Sequence, residues 1–243
     1  KKKQVSIINW SKEAAEKGGY SHFMLKEIHE QPHAIADTIH GRIRNSDIVF
    51  EEGFNLDNDY LKSISRIVIV ACGTSWHASL VGEFMFEELA KIPTEVEYGS
   101  EFRYRHPLFE KDTLVIGISQ SGETADTIAA LKEAKKYGVK TLAICNVIGS
   151  SITRISDGVI YTRAGPEIGV ASTKAFTSQL VALQLLALYL AQVRGTLAPE
   201  EIRRHIAELL KIPQLLEQAL KASAPAEKMA ERFYNHSDFL FLG

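Results

Sequence analysis

The chain has 243 residues, of which 28 are Lys or Arg and 30 are Asp or Glu, so its formal net charge is −2. This length suits one large domain, or one domain with part of another, and it can bury a sizeable core. The near-neutral balance argues against a surface for nucleic acid or for an anionic membrane, because both would require a basic excess. The longest apolar run, residues 180–191, is too short to span a bilayer and predicts a buried core helix.

Two short helices are predicted at the start of the fold. Residues 1–20 alternate poorly and are interpreted as a linker that arrives from an upstream unit. From Phe23 to Ile43 the apolar side chains fall at helical spacing, and Pro32 interrupts them. Proline is tolerated in the first turn of a helix, so Pro32 is predicted to separate two helices.

Four acid and imidazole side chains lie close together in this segment: Glu27, His29, Glu30 and His33. Such groups bind metals when they share one helical face. The predicted break at Pro32 would keep them apart, so we interpret them as a solvated or interdomain surface and predict no metal site.

Five apolar stretches predict β-strands, with helix-like stretches between them. The strands are predicted at residues 67–71, 94–98, 114–118, 141–145 and 159–162. Alternating strands and helices with apolar residues on both faces predict a parallel sheet covered by helices. The predicted fold class is therefore α/β: a five-stranded parallel sheet flanked by helices in three layers, with extra N- and C-terminal helices. Ligands bind such sheets beyond the carboxyl ends of the strands, near a switch point.

Polar residues follow the third predicted strand and precede a helix. These residues, Ser119-Gln120-Ser121-Gly122-Glu123-Thr124, are called the second polar turn (residues 119–124), because another such turn precedes them in the chain. The first amides of a helix have no intrahelical partner and favour an anion, and hydroxyl and amide side chains add donors. A phosphate ester is the candidate ligand, held by neutral donors. The alternative is an ordinary helix cap, with Ser119 or Ser121 capping and Glu123 in the first turn.

Two further polar turns follow other strands. The first polar turn (residues 72–75) reads Cys72-Gly73-Thr74-Ser75, and the third polar turn (residues 164–174) is Gly-rich and ends at Ser172 and Thr173 as predicted caps of the apolar helix. The first and second polar turns are expected to converge at the carboxyl edge of the sheet. For the third, a simple loop with a helix cap is an equally weighted alternative.

Cys72 and Cys145 each end an apolar strand-like run. Free cysteine at such positions usually behaves as a small buried hydrophobe, and the spacing matches no metal motif. We therefore predict a reducing, cytoplasmic location and assign no nucleophilic role to Cys72.

Amphipathic helices are predicted after the core, in residues 199–220 and 224–234. The last residues then repeat the pattern of an apolar strand that ends at glycine, Gly243. Residues 236–243 are therefore predicted to be the first strand of a second unit.

Together the three polar turns closely resemble the sugar isomerase (SIS) domain of the glutamine–fructose-6-phosphate aminotransferase family, whose members are also called glucosamine-6-phosphate synthases. The resemblance extends to two further stretches, residues 26–32 and 100–105, and so covers the chain from about Tyr20 to Gly243. It implies that residues 21–235 are the first of two SIS domains in an isomerase part, joined to an N-terminal glutaminase domain.

The resemblance also implies site residues and partners. The phosphate of fructose 6-phosphate, glucosamine 6-phosphate or glucose 6-phosphate would be held by Ser119, Gln120, Ser121 and Thr124. The sugar would be held by Thr74, Ser75, the backbone of Val170, and Ser172. Gly73 and Gly122 are added as points of close backbone approach. No cofactor is predicted, and the full protein is expected to be a homodimer.

The catalytic residues are expected outside this chain. The family's proton-abstracting Glu, ring-opening His and active-site Lys belong to the second SIS unit and the end of the protein, and its glutaminase nucleophile is an N-terminal Cys. Two alternatives remain. One is a non-catalytic sugar-phosphate sensor. The other is a nucleotide-binding domain, which is the least favoured because no G-x-G-x-x-G or G-x-x-x-x-G-K-[ST] is present.

Overall fold

The fold begins with one long helix, α1 (Phe23–Ile39). The computed structural model describes residues 16–50 and 53–240. The prediction of two helices broken at Pro32 is wrong, because α1 continues through this proline. Proline removes the amide that would bond to the carbonyl of Ile28. The side-chain amide of Gln31 donates to that carbonyl instead, over 2.9 Å, and the helix is not interrupted.

Three short elements connect α1 to the sheet, and none of them was predicted. Strands β1 (Ile43–Arg44) and β2 (Asp47–Ile48) form a small antiparallel hairpin. Helix α2 (Asn58–Ser63) follows, and the carboxylate of its N-cap Asp57 accepts a hydrogen bond from the amide of Tyr60 at 2.8 Å. These elements are too short to produce a periodic sequence signal.

The predicted five-stranded parallel sheet is confirmed. Its strands are β3 (Arg66–Ala71), β4 (Thr94–Tyr98), β5 (Thr113–Ser119), β6 (Lys140–Cys145) and β7 (Gly158–Tyr161). Their spatial order is β4-β3-β5-β6-β7, and every pair is parallel. Successive residues of β3 serve opposite faces: Ile67 and Ile69 join one apolar core, whereas Val68 and Val70 join the other.

Helices cover both faces of the sheet. They are α3 (Thr74–Met85), which continues into a π-helical turn (Phe86–Ala90), α4 (Gly99–Tyr104), α5 (Ala125–Lys136), α6 (Ser151–Ile155) and α7 (Lys174–Arg194). One face carries α1, α3 and α7, and the other carries α4, α5 and α6. By length and composition α7 could cross a membrane. In this fold, however, most of its residues are buried in the larger core, as predicted for a core helix.

Gly117, in the middle of β5, lets α5 approach the sheet closely. A Cβ atom at this position would lie 2.7 Å from a methyl carbon of Leu131 on α5. Because α5 packs so closely, its first turn is held directly beyond the end of β5. That is where the second polar turn lies.

The C-terminal part of the chain contains three helices: α8 (Pro199–Leu209), α9 (Ile212–Lys221) and α10 (Ala224–Phe233). Neither α9 nor α10 has a buried residue. Residues 238–240 are not in a strand, and residues 241–243 lie outside the described residues. Most of the predicted linker, residues 1–15, also lies outside them, so the proposed domain boundaries stay predictions.

Asp157 joins the end of the sheet to α5. Its carboxylate accepts two hydrogen bonds from Thr141, from the amide and from the hydroxyl, both at 2.8 Å. Lys135 on α5 lies 3.0 Å away. Burial alone would raise the pKa of Asp157, but the bonds from Thr141 and the charge of Lys135 together hold it below its usual value.

We expect Asp157→Asn to lower the free energy of unfolding by about 1 to 3 kcal/mol at neutral pH, because it removes charge-assisted hydrogen bonds. The pKa of Asp157 is lower in the folded than in the unfolded chain. The stabilisation is therefore complete above the usual aspartate pKa of about 3.9 and is lost as the pH falls through the folded-state value. Urea denaturation at several pH values should show the two proteins converging below about pH 4.

The control is Glu231→Gln, which removes an exposed carboxylate on α10. A difference between wild type and Asp157→Asn that stayed constant down to the acid limit would contradict the role given to the Asp157 carboxylate.

Candidate functional site

The order of the strands places a switch point between β3 and β5. From β3 the chain moves outward to β4, then returns to the other side of β3 to form β5 and continues to β6 and β7. Helix α3 therefore leaves toward one face and α5 toward the other. Parallel sheets bind ligands in the crevice that opens at such a point. The first and second polar turns lie side by side at this crevice, because they follow the adjacent strands β3 and β5.

The second polar turn is closed by its own side chains. The hydroxyl oxygens of Ser119 and Thr124 lie 2.8 Å apart, and the amide of Gly122 donates to the Ser119 hydroxyl at 3.0 Å. Ser119 is buried, whereas Gln120, Ser121 and Thr124 are half-buried. Ser119 therefore shapes the turn from inside, and the other three side chains are the more accessible donors.

Among the residues that the structure describes, no side chain caps the first turn of α5. Its N-cap residue is Thr124, whose hydroxyl is directed to Ser119 and not to the helix amides. The alternative in which Ser119 or Ser121 caps the helix, with Glu123 in its first turn, is wrong because the helix begins later, at Ala125. Uncapped amides at a helix N-terminus form a site that favours an anion.

Glu123 is bonded to the start of α6. Its carboxylate accepts a hydrogen bond from the amide of Ser151 at 2.7 Å. The hydrogen bonds from Ser151 hold the pKa of Glu123 below its usual value. A carboxylate held in this way is a weak base.

Gly122 and Gly73 both have positive φ angles, but their surroundings differ. A Cβ atom on Gly122 would lie 2.1 Å from the hydroxyl oxygen of Ser150, so the packing of the turn accounts for this glycine without any ligand. Gly73 is the N-cap of α3, and a Cβ atom there would meet no atom within 4 Å. The role of Gly73 as a point of backbone approach stays a prediction, whereas the packing of the turn already requires a glycine at position 122.

Ser75 is buried at the start of α3, and its neighbour Thr74 is exposed. The hydroxyl of Ser75 accepts a hydrogen bond from the side-chain amide of Gln179 on α7, at 3.0 Å. This bond connects the first polar turn to α7, in a way that the sequence did not predict, because the two residues are far apart in the chain.

The helix α7 begins with an anion already in place. The carboxylate of Glu167 accepts hydrogen bonds from the amides of Thr173, at 2.9 Å, and Ala175, at 3.1 Å. It also accepts one from the hydroxyl of Ser172 at 3.1 Å. Thr173 is the N-cap residue of α7, in agreement with the prediction for this residue, but neither it nor Ser172 caps the helix amides with its side chain, because the carboxylate of Glu167 bonds to them instead. A phosphate is favoured at α5 and not at α7.

Glu27 on α1 holds the middle of the third polar turn. This residue is only 2% exposed, and its carboxylate accepts hydrogen bonds from the amides of Ile168 and Gly169. One turn along α1, Glu30 pairs with the buried Lys174 at 2.7 Å. The interpretation of these two glutamates as a solvated surface is thus wrong, because α1 packs against the loop. Val170, next to the held amides, is fully exposed.

Asn146 was not singled out from the sequence, yet it connects two of the turns. Its backbone amide donates to the carbonyl of Gln120 at 3.1 Å. Its side chain accepts from the amide of Ala164 at 2.8 Å and donates to the carbonyl of Gly165 at 2.6 Å. The only signal in the sequence was its position immediately after β6.

The two cysteines have different environments. Cys145 is fully buried, and burial raises the pKa of its thiol to about 12. Cys72 is half-buried at the end of β3, so the prediction of a buried thiol holds fully for Cys145 only. Within residues 16–50 and 53–240, no group of three or more His, Cys, Asp or Glu side chains is arranged to hold a metal ion.

Comparison with known proteins gives a consistent result. The SIS domain model matches residues 60–189. The chain is 51% identical to the glutamine–fructose-6-phosphate aminotransferase (isomerizing) of Clostridium tetani and 49% identical to that of Methanosarcina mazei. Each match covers all of this chain and 40% of the relative, so the chain spans about two fifths of the length of these curated proteins.

A solved structure is also similar. It is the C-terminal domain of glucosamine-fructose-6-phosphate aminotransferase from Francisella tularensis, at 42% identity and a TM-score of 0.86. The match covers 90% of this chain and 61% of that one. The resemblance stated from the polar turns is thereby confirmed, and this chain belongs to the SIS domain family.

Proposed function

We propose that this chain binds a hexose 6-phosphate in the crevice between the first and second polar turns, with the phosphate at the start of α5. The single observation that carries the proposal is the uncapped N-terminus of α5 at the switch point. The half-buried side chains of Gln120, Ser121 and Thr124 surround it. No Lys or Arg lies within residues 119–124, so the phosphate is bound by neutral donors and the helix dipole.

The sugar is proposed to extend from the phosphate toward the first and third polar turns. Thr74 is exposed and Ser75 is oriented by Gln179. Ser172 and the backbone of Val170 contribute from the third polar turn, which Asn146 connects to the carbonyl of Gln120. Ser119 contributes by keeping the second polar turn closed, in addition to any contact with the ligand.

The wider function follows from the relatives. The proteins of C. tetani and M. mazei are named glutamine–fructose-6-phosphate aminotransferases (isomerizing). We propose that this chain is the first SIS half of the isomerase part of such an enzyme, which makes glucosamine 6-phosphate and glutamate from fructose 6-phosphate and glutamine. The glutaminase domain, the second SIS unit, a homodimeric state and a cytoplasmic location belong to the same proposal.

Binding can be tested by thermal denaturation of the 243-residue chain with fructose 6-phosphate, glucosamine 6-phosphate and a nucleotide. A hexose phosphate at about a hundred times its dissociation constant should stabilise the fold by roughly 2.7 kcal/mol. The nucleotide should not, because no dinucleotide or P-loop motif is present. An unchanged melting temperature at millimolar sugar phosphate would rule out the proposed site.

Ser121→Ala is the most direct test of the phosphate position. Ser121 is half-buried and its hydroxyl accepts only a local bond, from the amide of Glu123 at 3.2 Å. The substitution should weaken sugar-phosphate binding by about 1 to 3 kcal/mol, because it removes a hydrogen bond to a charged group. The free energy of unfolding should change little. Isothermal titration calorimetry and thermal melts measure the two effects.

Ser63→Ala is a matched control, since Ser63 is exposed on α2, before β3, and its hydroxyl bonds to the carbonyl of Tyr60. It should leave binding unchanged. Equal affinities for Ser121→Ala and wild type would show that the turn only shapes the helix start.

The chain alone is expected to make no glucosamine 6-phosphate, even when ammonia is supplied. The reaction needs a base to take a proton from C1 and a group to open the ring, each worth about 10² to 10⁴ in rate. The carboxylates of Glu123 and Glu167 are the candidates in the polar turns, but backbone amides hold both. Chromatographic assay should therefore detect no product, while calorimetric titration detects binding of the sugar phosphate.

Adding the complementary C-terminal half of the protein should restore ammonia-dependent synthesis. Turnover by the 243-residue chain that Glu123→Gln abolished would overturn the assignment of catalysis to the other half. Failure of the complemented halves to react, with binding intact, would instead favour a sugar-phosphate sensor.

A further inference from the structure

Two carboxylates fix the third polar turn on either side of an exposed tip. Before the tip, Glu27 accepts hydrogen bonds from the amide of Ile168 at 2.5 Å and from that of Gly169, 3.1 Å from each carboxylate oxygen. After the tip, Glu167 holds the start of α7. Val170 lies between them, and its side chain is fully exposed.

The contact between Glu27 and the loop leaves no spare room. A Cβ atom on Gly169 would lie 2.5 Å from a carboxylate oxygen of Glu27 and 3.4 Å from the backbone of Met24. The absence of a side chain at residue 169 therefore lets the loop backbone lie directly on α1. The sequence separation is 142 residues, so this is a tertiary contact.

Burying a carboxylate is costly unless hydrogen bonds compensate for lost water. Within the part of the chain that the structure describes, Glu27 meets this requirement with backbone amides of one loop. A loop that only connected β7 to α7 would not need such an anchor, since exposed connections are normally solvated. The anchor defines where the backbone at residue 170 lies.

We propose that Glu27 is a positioning residue for sugar recognition, which sets the backbone of Val170 at the distance that the sugar of a hexose 6-phosphate requires. This inference rests on the proposed function. Glu27 does not touch the ligand and acts through Ile168 and Gly169. The phosphate subsite is independent of it, because the second polar turn is closed by its own bonds and braced by Ser151.

The test compares two ligands on the 243-residue chain, glucosamine 6-phosphate and inorganic phosphate, by titration calorimetry with thermal melts. Glu27→Gln places an amide N–H opposite the N–H of Gly169 and removes the charge. It should weaken glucosamine 6-phosphate binding about tenfold, the loss expected for a charge-assisted hydrogen bond. Affinity for inorganic phosphate should stay within about twofold of wild type, because the phosphate subsite does not depend on Glu27. A twofold change corresponds to less than 0.5 kcal/mol.

Two further variants make the result specific. Asp37→Asn removes a partly exposed carboxylate from the same helix and should change neither affinity. Gly169→Ala disrupts the same contact from the side of the loop, and it should reproduce the loss for glucosamine 6-phosphate alone. Because it keeps Glu27, it also tests the proposal if Glu27→Gln fails to fold.

The outcomes separate this inference from the proposed function. A wild-type chain that binds no hexose phosphate overturns both. A wild-type chain that binds, with Glu27→Gln and Gly169→Ala retaining full affinity for glucosamine 6-phosphate, overturns the positioning role alone. Parallel losses for both ligands would also overturn it, because they would assign Glu27 to general stability of the site.

Discussion

The unpaired amides at the start of α5 are the constraint on which the site depends. Three long helices, α3, α5 and α7, begin at the carboxyl edge of the same parallel sheet. Each start carries partial positive charge. At α7 this charge is met within the chain by Glu167. At α5 no side chain of the described residues caps the amides. Two carboxylates lie near this helix start, but that of Glu123 bonds to Ser151 and that of Asp126, in the first turn, pairs with Arg103 at 3.2 Å. One helix is thus closed to external anions, while another remains open.

A set of buried polar groups keeps the open site in shape. Asn146 satisfies backbone groups of both the second and the third polar turns, and Glu27 satisfies amides of the third. Buried polar groups are costly when any partner is missing. Asn146 therefore connects the two turns, whereas Glu27 fixes the third turn alone. Loss of one of these bonds would therefore change the geometry of the crevice more directly than the packing of the apolar core.

The sequence predicted what short-range periodicity encodes. Five apolar runs, of which residues 114–118 are one, identified the five strands. The polar residues after these runs identified the carboxyl edge of the sheet as the candidate site. The sequence-based predictions were wrong where one side chain, near or distant in the chain, replaces the helix break or helix cap that the local pattern usually indicates. The side chain of Gln31 donates to the carbonyl of Ile28, which Pro32 leaves without its usual amide, so α1 continues. At α7, the carboxylate of Glu167 accepts the hydrogen bonds that serine and threonine side chains were expected to accept. The contact of Glu27 with Gly169 joins residues that are 142 positions apart in the chain, so no short sequence window contains both.

The two halves of the crevice are built on different principles, and this has a physical consequence. The second polar turn has its donors and its internal hydrogen bonds within six consecutive residues and the adjoining helix, and three amides after β6, those of Asn146, Ser151 and Ile152, brace it from outside. The third polar turn is held by α1, β6 and its own glutamate, so its geometry depends on how three separate elements pack. Local structure tolerates small shifts of the surrounding fold, whereas a loop held by tertiary contacts moves with them. On the proposed function, phosphate binding would therefore depend mainly on the strand–turn–helix unit, whereas small movements of α1 would alter the contacts with the sugar.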